Sequence, residues 1–334
     1  NNYRLFFTTN GQYSHLAAEG GGVNSYFSSS VFDLKPIIPI ISSATSETIG
    51  WVVLKYVSDI STDVGGVINK DIVADINNSP TIKTMLMAKD QVVLLGDSIF
   101  GQPSTNILPF VMQGVLKKRV YQLGFGGCTM AARPSEENSG YDSFGFVSIA
   151  DAVVNKSYTN QENKASSLGY NYQISELKSI DWSKKTTILC NYVNNDISVG
   201  IDIGNHYNSE TEIESLNKTS FLGAQTYGVR KIIEKYTNTN IIFLGAVFRK
   251  IDGLFVTEYT NSKGLSVFDY IEAESVNSKK MGIRFVDMLD YGKRNIGNLD
   301  DSTTDGTHFN GVGAEDFAKY LCAILSSYDI SFAV

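Results

Sequence analysis

Histidine and cysteine are scarce in this chain of 334 residues, three of each and none of them clustered. His15, His206 and His308 stand far apart, as do Cys128, Cys190 and Cys322. No spacing among them suits a metal site, and no disulfide framework can be drawn. The chemistry is therefore expected to need no metal and no cofactor. Basic residues fall short of acidic ones, 28 against 35, leaving a net charge of −7. That balance argues against nucleic acid or an anionic membrane surface as partner. No apolar run approaches the length of a membrane span. The chain starts at Asn1 without a signal-peptide pattern, so it reads as a processed or trimmed form. Familiar nucleotide and hydrolase motifs are missing too. There is no Walker-type loop, Thr129 occupies the last glycine position of a would-be dinucleotide fingerprint, and Phe100 replaces the second glycine of a G-x-S-x-G elbow.

What is present begins with Val92-Val93-Leu94-Leu95, four aliphatic residues closed by Gly96-Asp97-Ser98-Ile99. Such a run reads as a buried strand of a parallel sheet, and ligands bind beyond the carboxyl ends of such strands. Ser98 thus falls where chemistry is done, although the same tetrad also suits a plain helix N-cap. Near the other end, Asp305-Gly306-Thr307-His308-Phe309-Asn310-Gly311-Val312-Gly313 precedes an amphipathic run from Ala314 to Leu325. An Asp three residues before a His can hold one ring nitrogen while the other faces a nucleophile. A serine needs such a base, because its hydroxyl is a poor nucleophile at neutral pH. His15 and His206 have no comparable carboxylate beside them.

Two further segments offer oxyanion donors. A strand over 120–123 leads into Gly124-Phe125-Gly126-Gly127-Cys128-Thr129, and a strand over 186–192 leads into Val193-Asn194-Asn195-Asp196. Preorganised donors of this kind supply about 3–4 kcal/mol each in a transition state.

With these four segments in this order, the chain resembles the SGNH (GDSL) hydrolase superfamily over roughly residues 90–328. The resemblance implies a Ser98 nucleophile, a His308 base and Asp305 as its orienter. It also implies an oxyanion hole made of the Ser98 and Gly127 N–H groups and the Asn195 amide. Two positions depart from the family pattern. Val193 stands where a glycine is usual, which could tilt the loop carrying Asn195, and Gln122 stands where an Asn is usual.

Strands at 92–96, 119–123, 186–192, 240–247 and 283–287 alternate with helical stretches near 105–117, 144–154, 219–236 and 266–281. That alternation predicts a three-layer α/β/α, flavodoxin-like parallel sheet over residues 89–334. Residues 1–88 read differently, with short alternating runs such as Tyr3–Phe7, Val31–Leu34 and Trp51–Val57 between polar clusters. These predict a small all-β, sandwich-like module with a carbohydrate-binding or structural role, joined by a helix-leaning connector over 71–87. Residues 155–181 and 197–218 read as long polar loops. Tyr158, Tyr170, Tyr172 and Trp182 there are candidates to stack on sugar rings or simply to pack. Cys190, Cys322 and Cys128 read as small packing residues.

The resemblance implies a serine esterase. The polar loops, the β-rich companion and the lack of an apolar acyl-chain signature point to O-acetyl esters on a carbohydrate. The alternatives are a lipid or thioester hydrolase of the same superfamily, and a non-catalytic glycan-binding or virion-attachment protein on a hydrolase fold. The expected partner is an acylated glycan, and the sequence does not set the oligomeric state. Abundant Asn, Ser, Thr and Tyr suit a secreted, cell-surface or virion-associated protein better than a cytoplasmic one.

Overall fold

The computed structural model describes residues 2–9, 12–16, 23–24, 34–41, 48–57, 90–134, 139–291 and 294–331. The chain divides into two compact units, Asn1–Met87 and Ala88–Val334. In the first, β1 (Asn2–Thr9), β2 (Gln12–Leu16), β3 (Val23–Asn24), β4 (Leu34–Ile41) and β5 (Thr48–Val57) form one antiparallel sheet ordered β3-β2-β1-β5-β4. Pro36 and Pro39 lie on β4, an edge strand, where a missing N–H breaks no inner ladder. No second sheet is present among the described residues of this unit, and the predicted connector over 71–87 lies outside them.

The second unit is built on strands β6 (Asp90–Gly96), β7 (Arg119–Gly124), β8 (Lys185–Asn191) and β9 (Thr239–Leu244). A hairpin of β10 (Lys250–Ile251) and β11 (Leu254–Phe255) follows, and β12 (Arg284–Val286) completes the main sheet. That sheet is parallel throughout, in the order β12-β9-β8-β6-β7. The chain steps from β6 to β7 on one side and then to β8 on the other. The crevice between the ends of β6 and β8 is therefore the topological switch point of a flavodoxin-like sheet.

Helices cover both faces. They include α1 (Ser98–Gly101), α2 (Leu108–Leu116), α3 (Phe146–Asn155), α4 (Thr159–Leu168) and α5 (Asn171–Ser179), followed by α6 (Val193–Val199), α7 (Phe221–Lys235), α8 (Val267–Lys280) and α9 (Gly311–Ser331). The unbroken apolar run of β6 follows from this sandwiching. Val92 and Leu94 join Met112 of α2 and Phe317 and Leu321 of α9, while Val93 and Leu95 join Phe146 of α3 and Ile232 of α7. Each such Val or Leu contributes about 1.5–3 kcal/mol by leaving water.

One expectation is corrected. Residues 155–181 are not a loop but carry α4 and α5. These helices are short and polar, and α4 buries only Gln161 and Ala165. An apolar stripe, the sign by which a helix is read from sequence, is thus nearly absent. The stretch over 197–218 is irregular after the end of α6, apart from one 3-10 turn at Ile213–Ser215.

Candidate active site

Ser98 opens α1 directly behind β6. The Asp97 side chain caps that turn by accepting from the Ile99 N–H at 2.8 Å, and the Asp97 N–H donates to Asn191 O at 2.9 Å, tying the β6 end to the β8 end. Ser98 Oγ lies 3.0 Å from His308 Nε2, and His308 Nδ1 lies 2.7 Å from Asp305 Oδ2. The other carboxylate oxygen accepts from the backbone N–H groups of His308 (2.7 Å) and Thr307 (2.9 Å). Partial burial pushes the Asp305 pKa up, but these three donors outweigh it and hold the carboxyl below its usual range.

The His308 loop is anchored from three sides. Thr307 Oγ1 donates to Lys250 O (2.9 Å), Lys250 N to Gly306 O (2.8 Å), and Arg294 Nη2 to Thr307 O (2.6 Å). Ser104 Oγ donates to Phe309 O, and the Phe309 ring stacks on Phe317 of α9 at 4.6 Å. Serine, imidazole and carboxylate are thereby held in line within hydrogen-bond reach.

No protein-family model matches the chain, and no curated protein matches it. Solved structures do resemble it. One shares 18% identity, spans 71% of this chain and 96% of its own, and superposes with a TM-score of 0.50. A protein described as a possible lipase from Chitinophaga pinensis shares 13% identity over 72% of this chain and 98% of its own, with a TM-score of 0.46. A structure described as a GDSL-like lipase from Bacteroides ovatus shares 16% identity over 71% and 98%, with a TM-score of 0.39. The second unit shares its three-layer α/β/α architecture, built on a five-stranded parallel sheet, with the first of these structures.

The glycine-rich turn after β7 backs onto the serine. A Cβ built on Gly126 would lie 3.6 Å from Ser98 Cβ. The turn is pinned by Tyr170 Oη donating to Gly126 O (2.8 Å) and by Asp196, whose two oxygens accept from Met130 N (2.7 Å) and Ala131 N (3.0 Å). Gly127 has φ of 77°, which a side chain would resist, and the Tyr141 ring stands against it. Neither the Ser98 N–H nor the Gly127 N–H has an acceptor among the described residues.

Val193 opens the segment that carries Asn195. It is buried as the first residue of α6, with no positive φ, so this backbone needs no glycine. Asn195 Nδ2 donates to Cys128 O at 2.9 Å, which spends one amide hydrogen and leaves the other. The neighbouring Asn194 is fully committed. Its amide donates to Asp97 Oδ2 (3.0 Å) and Asn191 Oδ1 (2.8 Å), and its Oδ1 accepts from Val247 N (3.1 Å). Gln122, the other departure, donates to Phe100 O and to Thr105 O, stitching β7 to the turn after Ser98.

A cavity of about 360 Å³ opens beside the serine, lined by Ser98, Asn195, Arg249, Lys250, Thr307 and His308 among others. Gly127 is not part of that lining, and Asp305 lies behind the imidazole. The Arg249–Lys250 wall escaped the sequence reading. Its signal was the Asp252-Gly253 pair, a two-residue hairpin turn between β10 and β11. His206 is exposed and is not part of this lining, whereas the side chain of His15 lies outside the described residues. Two of the four sugar-stacking candidates have structural work: Trp182 is buried and stacks on Tyr236 at 5.5 Å, and Tyr170 packs against Phe125 and Phe144. All three cysteines are free and buried, and burial pushes the Cys128 thiol pKa well up. Among the described residues no cluster of three His, Cys, Asp or Glu side chains could hold a metal ion, and no helix is long and apolar enough to cross a membrane.

Proposed function

We propose that this chain is a serine esterase that removes short acyl groups, acetyl first among them, from a carbohydrate. The observation that carries the reading is the unbroken relay from Ser98 Oγ to His308 to Asp305, at 3.0 and 2.7 Å. Ser98 Oγ attacks the ester carbonyl carbon while its proton passes to His308 Nε2. The oxyanion that forms is met by the N–H groups of Ser98 and Gly127 and the second amide hydrogen of Asn195. Collapse of this intermediate breaks the bond to the sugar oxygen, which takes the proton from His308 and leaves. Water, deprotonated in turn by His308, attacks the acyl-enzyme and releases the acid, restoring Ser98. Asp305 keeps the imidazole tautomer and orientation, and its depressed pKa keeps it ionised throughout.

The carbohydrate part rests on the polar lining of the cavity, which joins Ser98, Asn195, Ser198, Lys250, Asp252 and Thr307, and on its modest size. A chain-length series of nitrophenyl esters run beside acetylated polysaccharides tests both parts. Turnover confined to acetyl and propionyl esters, with acetate released from the polymer, is the expected result. Activity that rises toward octanoyl esters would replace the carbohydrate reading by a lipid one, and no turnover on any ester would leave a binding protein on a hydrolase fold.

A further inference from the structure

Arg249 is a charged group in the cavity wall that the relay does not use. It is only 6% exposed, yet it lines the same cavity as Ser98 and His308. Nη2 is spent on Asn194 O (2.5 Å) and Ser198 Oγ (2.7 Å). Nε is buried with no acceptor, and Nη1 donates to none of the described residues. No carboxylate pairs with this cation among the described residues. The acid that acts on it most strongly is Asp97, whose oxygens are engaged by Ile99 N and the Asn194 amide. Lys250, the other cation of the wall, is already matched by Asp300 at 3.3 Å, and Asp252 is exposed on the hairpin turn. A buried cation without a partner is costly unless something arrives to pair with it. With Nη2 spent and Nε buried, Nη1 is the donor left to meet a carboxylate in a charge-assisted hydrogen bond.

We propose that Arg249 is a specificity residue that receives a carboxylate of the substrate, so that the enzyme prefers acylated acids, such as an O-acetylated uronic acid, over neutral esters. This rests on the esterase reading above. In a chain of net charge −7, which repels anions at long range, such a preference has to be built locally. The carboxylate has two sources, the sugar that leaves or the far end of the acyl group.

The test compares matched pairs on the wild-type protein. One pair is the 3-O-acetyl methyl glycosides of glucuronic acid and of glucose, and the other is nitrophenyl hemisuccinate and nitrophenyl butyrate. The expected result is a kcat/KM at least about tenfold higher for the acid in one pair, a margin within reach of one charge-assisted contact. The pair that shows it tells which side carries the carboxylate. Arg249→Gln should bring that ratio to about one, and Arg249→Lys should keep part of it. Equal rates within both wild-type pairs, or an Arg249→Gln variant that lowers acid and neutral substrate alike, would overturn the proposal and leave Arg249 as a strut for the Asn194 turn. If no ester is turned over, the esterase reading fails by itself. Calorimetric binding of glucuronate to wild type and to Arg249→Gln then decides the carboxylate site separately: binding lost in the variant supports it, and none in the wild type overturns it.

Discussion

Asn194 and Asn195 are chemically identical neighbours, and truncating each to alanine should damage different properties. Asn194→Ala strips partners from three buried groups: Asp97 Oδ2, Asn191 Oδ1 and Val247 N. Each group left unsatisfied costs about 1–3 kcal/mol, so a net loss of about 3 kcal/mol is expected once the removed amide's own burial is offset. For a unit of this size that lowers Tm by roughly 6–12 °C. Asn195→Ala loses a single bond to Cys128 O, about 1 kcal/mol, and Tm should fall by no more than about 4 °C. Its kcat, however, should fall about a hundredfold or more with KM little changed, the mark of a donor used only in the transition state. Thermal melts and acetyl-ester kinetics on the two variants read both effects. A loss below about fivefold in Asn195→Ala would refute its role in the oxyanion hole, and an unchanged Tm in Asn194→Ala would refute the network assigned to it.

Five further outcomes are expected. Ser98→Ala should lower ester turnover by at least about a thousandfold, and a serine-directed phosphonate should label Ser98 alone. His308→Ala should match it because the two act as a unit, Asp305→Asn should cost no more, and His206→Ala should be silent; a reversed order for the two histidines would displace the assigned base. Burial lifts the pKa of Asp97 to about 6 and that of Asp196 to about 8, above the usual value near 4. The folded state therefore holds these protons to higher pH than the unfolded chain, and their stabilising contribution, complete below about pH 4, is lost as pH rises through 6 and 8. Tm should decline between pH 5 and 9, and Asp196→Asn should flatten the upper part of that decline; an unaltered slope would sink the assignment. Gly124→Ala should fail to accumulate as folded protein, since its Cβ would lie 2.2 Å from Gly101 N, a backbone atom that cannot yield cheaply; a normal melt would contradict the close approach. Removing residues 1–87 should spare small acetyl esters and raise the apparent KM for acetylated polymer if that unit holds glycan, whereas a uniform loss would mark it as structural.

Local sequence carried the parts of the site whose geometry is itself local. The apolar run Val92–Leu95 announced a strand covered on both faces, and the Asp305–His308 spacing announced a carboxylate beside an imidazole, because three residues of one turn suffice to bring them together. The polar helices α4 and α5 were not legible. α4 is held by contacts with distant elements, such as Gln161 donating to Ser143 O, and α5 sends only two apolar residues, Ile174 and Leu177, into the core. The fate of Val193 was also unreadable, because whether that position needs a glycine depends on a φ angle set by the helix it opens. Arg249 was overlooked because a lone arginine beside a strand looks solvated until the fold buries it.

The hydrogen bond between Ser98 and His308 spans 210 positions of the chain, and the loop that holds the imidazole leads directly into α9, which packs against α2. A growing polypeptide therefore exposes its nucleophile long before its base exists. The central sheet can be largely assembled on the ribosome while the nascent chain is still inert toward esters. Onset of hydrolysis is then a clock for the last folding event rather than for sheet formation. In a refolding experiment circular dichroism should recover first and turnover last, with the lag between them measuring how long α9 takes to find its groove.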